Sequence, residues 1–86
     1  MKAKSKEVDH IIFNIVFGIS EIQSSKYSLK YSLKEDLKFC NTNFDLLYNT
    51  IEDKFNIVLG LQDERRICNI EDVVKVVKLK IANGQS

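Results

Sequence analysis

The segment 44–55 constrains the fold of this chain more than any other, because Phe44, Leu47, Tyr48, Ile51 and Phe55 recur at three- and four-residue spacing. That period gathers the five side chains on one side of an α-helix and scatters them over both faces of a strand. It predicts a helix over 41–55 with one apolar stripe, and with Asp45, Asn49, Glu52 and Asp53 turned to water. Thr42-x-x-Asp45 reads as a capping box at its start, with Asn41 as a competing N-cap. A single stripe has nothing to bury against unless the rest of the chain supplies matching surfaces.

Two other segments do. From about Glu7, residues Ile12, Ile15, Val16 and Ile19 form a helical stripe that Ile11, Phe13 and Phe17 widen. So much Ile, Val and Phe also suits a buried strand. The run is long once Val8 is included, and no nearby strand-like segment could pair with it, so helix is the better reading. Gly18 leaves its end open. Near the C-terminus Asn69 begins a last helix, with Asp72 as reciprocal cap, Ile70, Val73, Val74 and Val77 on its inner face, and Gly84 as its stop. Between them, Asn56 to Gly60 reads as a turn, and Leu61 to Ile67 has room for one or two helical turns. Residues 1–6, MKAKSK, are expected to be a solvated, flexible lead-in.

Residues 20–38 contain a short repeat, Lys-Tyr-Ser-Leu, Lys-Tyr-Ser-Leu, Lys-Glu-Asp-Leu. By periodicity alone Lys26, Lys30, Lys34 and Lys38 make a basic helical ridge beside Leu29, Leu33 and Leu37, suited to a membrane surface or nucleic acid. The other reading is a long connecting loop in which Tyr27, Leu33 and Leu37 tuck into the bundle and the lysines stay in water. The serines and the lack of strong helix formers favour the loop.

Eighty-six residues make one domain, 1–86, with a modest core. A net charge of +1 is too mild to point to nucleic acid or a membrane surface. No apolar run approaches the roughly 18 residues that span a bilayer. The stretch 11–19 follows a Lys-rich start, but no small-residue cleavage site comes after it, so a cytoplasmic setting is expected. Cys40 and Cys68 define no disulfide framework, and Cys68 is expected to be a structural thiol. His10 has no partner set for zinc, and Gly18, Gly60 and Gly84 are too scattered for a phosphate loop. Glu35 and Asp36 suit backbone N–H groups at a loop corner better than acid–base work. A monomer without enzymatic activity and without metal is the expectation.

Glu35-Asp36-Leu37 and the closing Glu52-Asp53-Lys54-Phe55 resemble the acyl carrier proteins. That family carries a Glu-Asp-Leu turn, then Gly-x-Asp-Ser-Leu, then a helix ending in acidic residues and Phe. Set on Glu35, the pattern runs without a gap to the chain end, with Leu59, Ile67, Ile70, Val73, Val74 and Val77 at the family's apolar positions. The resemblance covers roughly residues 8–82. It implies an all-α four-helix bundle with a long loop after the first helix, a short third helix, and a recognition helix at 41–55.

The departure from the family falls on its chemistry. The serine that carries the 4′-phosphopantetheine arm is here Asn41, within Cys40-Asn41-Thr42, and an amide is no nucleophile for phosphoryl transfer. Thr42, by a slip of one register, and Cys40, as a direct thioester, are fallback attachment residues. The leading expectation is a binding module without the cofactor that docks on a protein partner, an acyl-transfer or biosynthetic enzyme of lipid or polyketide chemistry, through Asp45, Leu46, Glu52 and Asp53. Leu46 stands where the family has its first acidic site, so that partner should be less basic and more apolar than usual. One alternative is a working acyl carrier protein of fatty acid or secondary metabolite biosynthesis with an unusual attachment residue. The other is a basic surface-binding helical protein using Lys26, Lys30, Lys34 and Lys38.

Overall fold

Four helices follow one another along the chain: α1 (Ser5–Ile19), α2 (Asn41–Phe55), α3 (Leu61–Arg65) and α4 (Ile70–Ala82). The structure is a computed structural model that describes residues 5–22 and 26–83, with side chains from Glu7 onward. α1 packs against both α2 and α4, a four-helix bundle with a long loop after its first helix and a short third one. The radius of gyration, 12.1 Å, is that of a folded chain of this length, about 12 Å. Helix α1 starts earlier than expected, so Ser5 and Lys6 of the supposed lead-in are helical. Residues 1–4, and the stop assigned to Gly84, lie outside the described residues.

The core is what the three stripes supply. Val8, Ile12 and Val16 from α1, Leu47 and Ile51 from α2, and Ile70, Val73, Val74 and Val77 from α4 are all buried. Phe13, Ile15, Phe17, Phe44, Tyr48 and Phe55 pack half-buried around them. The long connection adds Leu33, Leu37 and Phe39, and the later turn adds Ile57, Leu59 and Ile67. One ion pair fastens α1 to α4, Lys78 Nζ to Asp9 Oδ1 at 3.0 Å.

The connection from 26 to 40 is irregular chain and turn, so the four lysines of the repeat form no helical ridge; all four are exposed. Its tyrosines have a different task. Tyr27 rests on Phe13 with ring centroids 4.6 Å apart, and Tyr31 meets Phe17 edge-on at 5.5 Å. Rings four residues apart in the loop thus engage rings four residues apart on α1. Tyr27 is only partly tucked in, at 46% exposed. The same segment caps α4: the N–H groups of Ile70 and Glu71, which no helical partner can satisfy, donate to the carbonyls of Tyr31 (3.2 Å) and Leu29 (2.8 Å). In the corner that follows, Asp36 Oδ2 accepts from Ser32 N at 2.7 Å, the backbone role expected of it.

Lys38 closes that corner at φ 58°. The left-handed region costs a residue with a Cβ about 1–2 kcal/mol. Glycine there would loosen the unfolded chain at a cost of about 0.4–1 kcal/mol, the smaller quantity. Lys38→Gly is therefore expected to raise stability by about 0.5–1 kcal/mol, as a higher urea midpoint at unchanged slope. Lys38→Val should do the opposite.

Two carboxylates tie the second half together. Glu52, expected to face water, is half-buried because its Oε2 accepts from Leu59 N at 2.7 Å, holding the turn after α2 against the helix. Asp63 Oδ2 accepts from Gly60 N at 2.9 Å and pairs with Lys80 Nζ at 2.9 Å, joining α3 to α4. The Gly60 N–H first, and Lys80 after it, hold the Asp63 carboxyl below the usual carboxylate range. A folded-state pKa below the unfolded one contributes stability above the unfolded value, and that contribution is lost as pH falls through the folded one. Urea midpoints of Asp63→Asn and the native chain should therefore differ at neutral pH and converge below about pH 4.

Candidate functional site

The start of α2 gathers the three candidate attachment residues. Cys40 is its N-cap, extended at φ −99° and ψ 179°, and Asn41 and Thr42 are its first two helical residues. The expected caps are corrected here: Cys40 stands at the N-cap, its side chain accepts no capping bond, and Asn43 reaches back to it across Asn41 and Thr42. Asn43 Oδ1 accepts from Cys40 N at 2.9 Å and from the thiol Sγ at 3.0 Å. The chain enters α2 from the buried Phe39, and that anchor decides which residue stands at the cap. Asn41 and Thr42 are left exposed with no part in the box.

Cys40 is exposed, and its thiol is held below the ordinary value. The backbone N–H of Asn43 is the largest cause and that of Thr42 the next, donors at the helix start that favour the thiolate. Two hollows flank this helix start. One, of about 320 Å³, lies between Asn41, Phe44, Asp45 and Tyr48 of α2 and Glu64 and Ile67. The other, of about 390 Å³, lies beside Cys40 and Asn43 and is closed by Ser20, Ile22 and Phe39. Burial, then the carboxylates Glu64 and Asp45, push the Tyr48 hydroxyl up.

The partner-facing residues separate into two groups. Leu46 is 52% exposed, and Asp45 and Asp53 are exposed with it. Residues 42, 46, 49 and 53 follow three- and four-residue steps, so Thr42, Leu46, Asn49 and Asp53 share one solvent face of α2, edged by Asp45. Glu52 points elsewhere, at Leu59. Cys68 is also corrected: it lies at the entry to α4 with its thiol exposed, not packed. His10 is exposed and stacks on Tyr27, ring centroids 5.0 Å apart. Among the described residues no group of three or more His, Cys, Asp or Glu is arranged to hold a metal ion, and no helix is long and apolar enough to cross a membrane.

Sequence reasoning missed Val58 and Leu61, exposed at 67% and 72% in and after the turn that follows α2. A signal for Val58 was present. In Ile57-Val58-Leu59 an extended chain turns alternate residues to opposite sides, so burying Ile57 and Leu59 drives Val58 outward. No protein-family model matches the chain, and no curated protein matches it either.

Proposed function

We propose that this chain is an acyl-carrier-type bundle that has given up the 4′-phosphopantetheine arm and works as a docking module for a protein partner. The observation that carries the reading is Asn41, exposed as the first residue of α2 and offering an amide where the family offers a serine hydroxyl. Three features support the family assignment. The helices follow the family's order of long, long, short, long. The buried Leu59, Ile67, Ile70, Val73, Val74 and Val77 coincide with its apolar positions. The family's glycine, set in register on Leu37, corresponds to Lys38, whose backbone has the left-handed geometry that glycine favours.

The docking surface in this reading is the solvent face of α2 with Leu46 at its centre and Asp45 and Asp53 at its edge. An apolar side chain among carboxylates suits an acyl-transfer or biosynthetic enzyme whose own surface is more apolar and less basic than those that serve ordinary carriers. Incubation with coenzyme A and a phosphopantetheinyl transferase should leave the intact mass unchanged. Leu46→Glu should improve binding to the basic enzymes of ordinary carrier proteins, by about tenfold for a charge gained at an interface centre. Unchanged affinity would remove Leu46 from the surface.

A second reading has one observation of its own: the exposed Cys40 with its lowered thiol pKa. In that case the chain is a carrier that holds an acyl group directly as a thioester. An acyl adduct on Cys40 that hydroxylamine removes would replace the first reading with this one, whereas a phosphopantetheine on Thr42 would replace both with a carrier attached there.

A further inference from the structure

We draw no further inference here: the strongest candidate, the hollow between α2 and α3 where the half-buried rings of Phe44 and Tyr48 meet the carboxylates of Asp45 and Glu64, rests on an acidic pair beside a helix start, and nothing in the structure shows what covers it.

Discussion

Leu47→Ala and Ile51→Ala are each expected to destabilise the fold by about 2–5 kcal/mol, whereas Leu46→Ala is expected to stay within about 0.5 kcal/mol. The two leucines are neighbours in sequence with the same intrinsic helix preference, so propensity cannot separate them. Their surroundings do: Leu47 and Ile51 are 0% exposed and Leu46 is 52% exposed. Truncating either buried side chain removes its transfer free energy and leaves a cavity under α1, which packs directly on α2. A domain of this size has roughly 4–13 kcal/mol of total stability, so the upper end of the loss would leave the chain largely unfolded at ambient temperature. Urea titrations followed by circular dichroism measure all three variants. A melting-temperature shift of about 4–8 °C per kcal/mol gives an independent reading. Losses near zero at both Leu47 and Ile51 would mean that α2 does not bury this stripe.

The double variant Asn41→Ser with Cys40→Asp is expected to gain the phosphopantetheine mass, and the native chain is expected not to. Serine at 41 provides an exposed hydroxyl at the first position of a 15-residue helix, where the partial positive charge of the helix start favours the incoming phosphate. Aspartate at 40 supplies the acid that flanks the attachment serine in acyl carrier proteins, at an N-cap position where it is among the preferred residues, so the variant should also melt higher than the native chain. That second readout separates two kinds of failure. A variant that melts higher and is not modified has a sound helix start but a surface the transferase does not accept, and Leu46→Glu is then the substitution to add. Modification of the unmutated chain would count directly against the reading of Asn41, with the modified residue naming its replacement.

The apolar periods of α1, α2 and α4 were legible in the sequence because a helix repeats its surroundings every three to four residues. Val8, Leu47, Ile51, Ile70 and Val73 need only that repeat to be assigned to the inside. The exposure of Leu46 was expected from the resemblance to acyl carrier proteins, whose first acidic site it would occupy, and not from the repeat. The cap of α2 was not legible. Cys40, Asn41 and Thr42 can all stand at a helix start, and the choice among them is made by the anchoring of Phe39 in the core, a contact between segments. Glu52 looked solvent-facing by its angle on the helix, and the returning turn brought Leu59 N–H to it. The Lys-Tyr-Ser-Leu repeat carries a helical period that the chain does not adopt. Instead its tyrosines dock on Phe13 and Phe17 and two of its carbonyls take the bare N–H groups of α4, contacts a solvated helix would not make.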